Sequence, residues 1–279
     1  MEIPAYGIKE QIASGDTIDR AVESLRLLGY AVVESGYSNT ELVLFSEQFE
    51  AVYAHWLDAQ GGMESLKDID EHYTIRAPLA ISDAFLTLAT NPNILRLGEL
   101  LLDNYFILNQ QNGIINPPNG IRYNQGAYHR DLPYQHFITS RPLAINALFC
   151  LDDFTLENGA TYVVPGSHKQ EAFPSYESVS ELEMQITAPR GSFIVLDCML
   201  FHRGGANRTR DARRGVNHVY SLPFIKQQIE LPSLIGERFH DPALKRLLDY
   251  GNTPPRDVKA FLSRRRNKAL KNKEIASRS

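Results

Sequence analysis

The segment Tyr128-His129-Arg130-Asp131 places two metal-binding residue types, an imidazole and a carboxylate, two positions apart. On an extended chain residues i and i+2 share a face roughly 6–7 Å apart, a gap that one metal ion bridges. His129 and Asp131 are then two members of a facial triad, which a second imidazole from elsewhere completes. Alone, H-x-D is a weak signal that chance supplies in many chains. The candidate third ligand is His202, in GSFIVLDCMLFHRGGAN. An apolar strand, Phe193–Leu196, leads to Asp197, and the histidine follows just before the Gly204-Gly205 turn. A strand end at a barrel rim lets a side chain reach a central metal; the competing role is to cap the turn.

Eleven residues past His202 stands Arg213. The intervening RGGANRTRDA holds two glycines and an asparagine, so the chain can reverse and send the next strand back alongside. An arginine there returns toward the metal, and its planar fork suits a dicarboxylate. Arg214 competes from the opposite face. Strand parity slightly favours Arg214 on the apolar side, with Val216 and Tyr220. Residue chemistry leaves the choice open. Of the eight histidines, His168 in PGSH reads as a turn residue and not as a fourth ligand. Glu157-Asn158-Gly159 reads as a turn that needs glycine's backbone freedom. Asp152 and Asp153 face opposite sides of a strand and receive no catalytic role.

Taken together, YHRD, LDDFTLENGATYVVPGSHK and GSFIVLDCMLFHRGGANRTRDARR resemble the phytanoyl-CoA dioxygenase family of iron(II)/2-oxoglutarate oxygenases, over about residues 20–225. The combination is specific: H-x-D, then E-N-G before P-G-S-H, then a distal histidine with asparagine at +5 and arginine at +11. The resemblance implies a mainly β fold with flanking helices around a double-stranded β-helix, the jelly-roll or cupin-like core. Carried over residue by residue, it makes His129, Asp131 and His202 the iron ligands. It makes Arg213, in preference to Arg214, the partner of the distal carboxylate of 2-oxoglutarate. Asn116 matches loosely a polar residue that contacts this cosubstrate, with Asn112 and Gln111 as rivals. One departure is Gly204, where several relatives carry a serine hydroxyl near the cosubstrate.

The implied cofactors are Fe(II), 2-oxoglutarate and O2, with succinate and CO2 as coproducts. Because halogenating relatives replace the carboxylate of H-x-D by a small residue, Asp131 points to a hydroxylase and not a halogenase. Desaturation, cyclisation and epoxidation occur in the same family. Arg130, Tyr134, Gln135 and His136 are expected near the pocket mouth; their polarity favours a small polar metabolite or natural-product intermediate over a long acyl-CoA. Two other classes compete. A metal-dependent cupin-like isomerase or hydrolase has no use for a buried arginine facing a dicarboxylate, and a non-catalytic jelly-roll binding module has no reason to assemble three ligands.

The elements that position these residues divide the chain by texture. Residues 1–104 read as a mainly helical wrapping segment. Asp16 or Thr17 caps a helix with the stripe Ile18, Ala21, Val22, Leu25 and Leu28, closed by Gly29. Tyr30–Val33 reads as a strand, Ser38–Glu41 as a capping box, and Pro92–Leu102 as a further helix. Residues 105–225 are short apolar runs between turns, the jelly-roll core. Strands are expected at Tyr105–Asn109, Ala144–Leu151, Thr161–Val164, Ser192–Leu196 and Val216–Leu222, with Asn112–Gly126 as a loop. Residues 226–279 form a helical, basic tail. Val258, Phe261, Leu262 and Arg265 are expected on a helix laid on the body, followed by a solvated RRRNKALKNKEIASRS. One oxygenase domain spanning 1–279 is the expected organisation.

The 279 residues are 43% hydrophobic and 22% charged, enough apolar content for a core. A formal charge of −4 gives no global pull toward nucleic acid or acidic membranes. The tail from Arg256 onward carries nine Lys/Arg against two Asp/Glu, and a solvated tail is expected there in preference to a nucleic-acid partner. Two cysteines, Cys150 and Cys198, exclude a disulfide scaffold and read as small buried hydrophobes. No stretch approaches a membrane span, and the first residues carry no basic-then-apolar leader. The expectation is a cytoplasmic protein, monomer or homodimer, acting on a small molecule.

Overall fold

A computed structural model describes residues 6–8, 12, 15–132 and 137–276. The first helix, α1 (Thr17–Leu28), starts where Asp16 accepts hydrogen bonds from the amides of Ile18 and Asp19, and it ends at Gly29 in the left-handed region, φ 87°. Strand β1 (Tyr30–Glu34) follows at once. Ser38 and Glu41 form the capping box of α2 (Asn39–Ala59), which buries Phe45, Phe49 and Val52. Next come α3 (Gly62–Lys67), β2 (Thr74–Arg76), α4 (Asp83–Ala89) and α5 (Pro92–Leu102), the last capped by Asn91.

Strand β3 (Ile107–Asn116) runs seven residues beyond the expected Asn109 and takes in residues 112–116 of the stretch expected as a loop. The polar side chains there are buried and bonded instead of solvated. Gln111 accepts from the amide of Leu79 at 2.9 Å and donates to the carbonyl of Phe85 at 2.7 Å. Such bonds let polar residues occupy a core strand, because burial costs little once the partners are supplied. Only residues 117–126 of that stretch are irregular, with one short turn at Asn124–Gly126.

The remaining elements are β4 (Ala144–Cys150), β5 (Thr161–Val163), α6 (Tyr176–Leu182), β6 (Met184–Ile186), β7 (Ser192–Asp197), β8 (His202–Arg203) and β9 (Arg213–Ser221). Three helices close the chain: α7 (Leu231–Ile235), α8 (Pro242–Leu247) and α9 (Val258–Ala276). A six-stranded antiparallel sheet in the order β1-β7-β4-β9-β3-β2 faces a three-stranded sheet, β6-β5-β8. This is the double-stranded β-helix, although its helical wrapping contributes more residues than its strands.

Both faces of the central strands of the large sheet, β7, β4, β9 and β3, are largely buried, and alternation sorts their residues between them. The outer set, including Ile145, Phe149, Val195, Val216 and Tyr220, packs in one core with Phe45, Phe49, Phe85 and Leu97 of the helices. The inner set, Cys150, Ile194 and Leu196, packs with Phe154, Val163 and Ile186 toward the small sheet. Cys150 and Cys198 are free thiols, both buried. The tail differs from expectation: Val258, Phe261 and Leu262 of α9 are 73%, 46% and 43% exposed, so that helix is not laid on the body. The basic run continues the same helix as far as Ala276, built from strong helix formers, and its last three residues lie outside the described ones. Among the described residues no helix is long and apolar enough to cross a membrane.

His218, on the outer face of β9, is fully buried between Phe193 and Tyr220. Its Nδ1 lies 2.9 Å from the Ala147 carbonyl, and burial lowers its pKa to about 4. The folded state therefore binds fewer protons than the unfolded chain between about pH 4 and 6.5, and stability falls as pH drops through that window. A shift of this size corresponds to up to about 3 kcal/mol. Comparing wild type with His218→Phe by denaturant melts at pH 7 and pH 4 should show a smaller acid loss in the variant. Parallel losses would show that His218 is not held neutral.

Candidate metal centre

A two-way backbone bridge assembles the site. The amide of His129 donates to the carbonyl of His202 at 3.0 Å, and the amide of His202 donates back at 3.1 Å. Two residues on, the amide of Asp131 donates to Cys198 at 3.1 Å. The H-x-D segment, outside both sheets, is thus stitched to the chain that leads into β8. Ligand atoms of His129, Asp131 and His202 all lie within 4.8 Å of one another.

Each ligand is oriented from behind. His129 Nδ1 lies 2.8 Å from the Ala127 carbonyl, and His202 Nδ1 lies 2.9 Å from that of Leu200. Those carbonyls hold the proton on Nδ1 and leave both Nε2 lone pairs for a metal. Asp131 Oδ1 is 3.7 Å from His202 Nε2, and its Oδ2 accepts from Asn146 Nδ2 at 2.9 Å. Burial lowers the pKa of His202, against the pull of Asp131, which favours the neutral form that binds metal.

Arg130 does not stand at the mouth. Its side chain leaves the face shared by His129 and Asp131, packs 3.8 Å over the Phe201 ring, and is buried. It donates to Met199 at 2.6 Å, to Glu171 and Ser167 at 3.1 Å, and to Gln170. The fork therefore ties the H-x-D segment to the chain just before His202. Tyr134, Gln135 and His136 lie outside the described residues. A second tie joins the neighbours of the two histidines: Glu183 accepts from Tyr128 at 2.6 Å and pairs with Arg203 at 3.0 Å.

Arg213 begins β9 on the cavity face, with Gly215 and Asn217 two and four residues on. It is 5% exposed, lies 3.8 Å over the Phe154 ring, and its buried Nε has no partner. Arg214 is on the other face, where it grips Asp152 through both Nε (3.0 Å) and NH2 (2.6 Å) and reaches Glu50 at 2.6 Å. Parity grouped Arg214 correctly with Val216 and Tyr220. That apolar face, however, meets the helices, not the cavity.

Asn116 stands opposite Arg213 in register, but its amide donates to the carbonyls of Gly205 (2.9 Å) and Gly159 (3.3 Å), away from the cavity lining. Gly159, φ 79°, is the turn glycine expected, and a Cβ there would overlap the Gly205 carbonyl. Neither rival lines the cavity: Gln111 bonds to the helical layer, and the backbone N–H of Asn112 donates to Asn217 Oδ1 at 3.1 Å. His168 is buried beside Gly29 with Nε2 3.3 Å from the Arg26 carbonyl. Asp153 accepts from the Arg190 amide at 2.7 Å. Sequence reasoning missed Asn146, Asn217 and Tyr123 on the cavity wall. Asn146 had a signal, as the single polar residue of Ala144–Cys150.

The sequence profile of the phytanoyl-CoA dioxygenase (PhyH) family matches residues 25–215. The chain belongs to this family. It is an iron- and 2-oxoglutarate-dependent dioxygenase. The uncharacterized protein Rv1501 of Mycobacterium tuberculosis is 28% identical over 237 residues, 82% of this chain and 85% of that one. The dioxygenase olcK of Penicillium canescens is 37% identical over 128 residues, 42% of this chain and 41% of its own. Among solved structures, EctD from S. alaskensis with 2-oxoglutarate and 5-hydroxyectoine has a TM-score of 0.64 at 23% identity, covering 84% of this chain and 85% of that chain.

The residues of this phytanoyl-CoA dioxygenase family member fit both groups. Two imidazoles and one carboxylate on one side suit iron(II) with open positions opposite. A buried guanidinium with an orphaned Nε suits an incoming carboxylate. Replacing one imidazole leaves only two protein ligands. Anaerobic Fe(II) loading followed by metal analysis should find His129→Ala and His202→Ala folded but far below wild-type iron content. Wild-type iron in either variant would contradict the ligand set.

Proposed function

We propose that this dioxygenase hydroxylates a small polar or anionic metabolite, with His129, Asp131 and His202 holding iron and Arg213 holding the distal carboxylate of 2-oxoglutarate. The observation that carries this reading is a single cavity lined by all four side chains. Bound iron, with 2-oxoglutarate and O2, supplies the oxidising power to break an unactivated C–H bond and leaves succinate and CO2. The chain's own residues bind and orient. Asn146 fixes the Asp131 carboxylate, and Phe154 covers one face of Arg213 and excludes water from it. Asn116 is a positioning residue in this reading, because its amide clamps the Gly159 and Gly205 backbones.

The substrate class rests on the groove beside the cavity. Asp70, Arg122 and Asn124 line it, and it shares Tyr123, Arg203 and Gly204 with the metal cavity. Charged and amide side chains along that groove suit a polar metabolite better than a long acyl chain. Hydroxylation over halogenation is supported by Asp131: a carboxylate held beside both histidines occupies a ligand position and disfavours a further anion.

Truncating one partner of a buried ion pair costs roughly 3–5 kcal/mol. Arg213→Ala should therefore weaken 2-oxoglutarate binding by about two orders of magnitude or more. Arg214→Ala should leave that affinity near wild type, since its partners are Asp152 and Glu50. The reverse ranking, measured by calorimetry on metal-loaded protein, would show that the wrong arginine was chosen. For the reaction itself, polar metabolites are screened for stimulated succinate release, and the active one is turned over under 18O2 in chloride or bromide. One 18O in the product is expected; a halogen isotope pattern, or a product without 18O, would contradict hydroxylation.

A further inference from the structure

Gly204 lies two residues past His202, on the wall of the metal cavity. Its φ is outside the left-handed region, so the backbone there does not require glycine. The space does. A Cβ at 204 would overlap the phenol oxygen of Tyr123 and lie 2.7 Å from its Cζ. Tyr123 comes from the irregular segment between β3 and the H-x-D motif, is 7% exposed, and lines the same cavity as the three candidate ligands. The amide of Gly204 donates to the Gln125 carbonyl at 2.7 Å, which locks that segment against β8.

Tyr123 and Arg213 line the same cavity. Burial raises the phenol's pKa, and Arg213 is the strongest influence pulling it back. A phenol is protonated at neutral pH even at its ordinary value, and burial only reinforces this, so the Tyr123 O–H is available as a donor. The side-chain NH2 of Asn116, opposite Arg213 in register, is already committed to two carbonyls.

We propose that the Tyr123 phenol donates a hydrogen bond to the distal carboxylate held by Arg213, and that Gly204 is a specificity-determining position because its missing side chain makes room for that phenol. This rests on the reading of Arg213 as the cosubstrate arginine. A neutral O–H donor next to a fixed guanidinium selects a carboxylate at that end over a methyl group, because the methyl leaves both donors unpaired.

The test measures binding of 2-oxoglutarate and of 2-oxovalerate, the five-carbon acid without the distal carboxylate, to anaerobic Fe(II)-loaded protein by calorimetry. Metal content is checked for each variant. Tyr123→Phe should weaken 2-oxoglutarate about tenfold, as expected for a hydrogen bond to a charged group, and leave 2-oxovalerate unchanged. Unchanged 2-oxoglutarate binding, or an equal loss for both acids, would overturn the tyrosine assignment. Gly204→Ser should weaken 2-oxoglutarate at least as much in the wild-type background, because the serine expels the phenol. In a Tyr123→Ala background it should cost nothing further; additive losses would overturn the space argument. Arg213→Ala separates the two claims. Lost binding there with a silent Tyr123→Phe overturns the tyrosine alone, and retained binding overturns the arginine reading on which the proposal rests.

Discussion

The reciprocal hydrogen bonds between the backbones of His129 and His202 are the constraint on which the site depends. Neither residue belongs to a long strand: β8 has two residues, and the H-x-D segment lies outside both sheets. Two short bonds alone would be a weak anchor for a facial triad. Arg130 reinforces the bridge on one side by tying its own segment to Met199, and Glu183 reinforces it on the other by joining Tyr128 to Arg203. The residues flanking each histidine therefore hold the pair in place while the histidines themselves stay open to a metal. Their rings are then turned by carbonyls two residues back, the same device used twice. Preorganised ligands of this kind hold a metal without further rearrangement.

Enclosed charge explains why the arginine belongs in this cavity. Asp131 and Arg213 are both buried or nearly so, and a buried charge is costly unless matched. Under the proposed assignment, a divalent ion, one carboxylate, one guanidinium and a dicarboxylate would together bring the interior to neutrality. The unpartnered Nε of Arg213 and the Asp131 carboxylate, held by Asn146, are the groups that such an assembly would match. The two halves of the site are linked by charge balance as well as by shared walls.

Much of this was legible in the sequence because it is local. The period of two in H-x-D put His129 and Asp131 on one face, and the caps at Asp16 and Ser38 fixed their helices to within a residue. What was not legible is nonlocal. A sheet buried on both sides has two apolar faces, so the parity of Arg214 with Val216 and Tyr220 pointed to the helical layer and not to the cavity. The strand was expected to stop at Asn109 because the partners that let Gln111 sit in its continuation, the backbones of Leu79 and Phe85, come from a distant segment. Arg130 was expected at the pocket mouth, since nothing nearby in sequence announces four carbonyl acceptors. Family resemblance chose Arg213 where residue physics left two candidates.

The central claim is that one cavity holds iron on His129, Asp131 and His202 while Arg213 orients 2-oxoglutarate toward it. Anaerobic optical titration of the full chain with Fe(II) and then 2-oxoglutarate tests this most directly. The account predicts a weak visible charge-transfer band that saturates at one equivalent of each. Iron binding with no band at saturating 2-oxoglutarate would show that the acid does not reach the metal, and would contradict it.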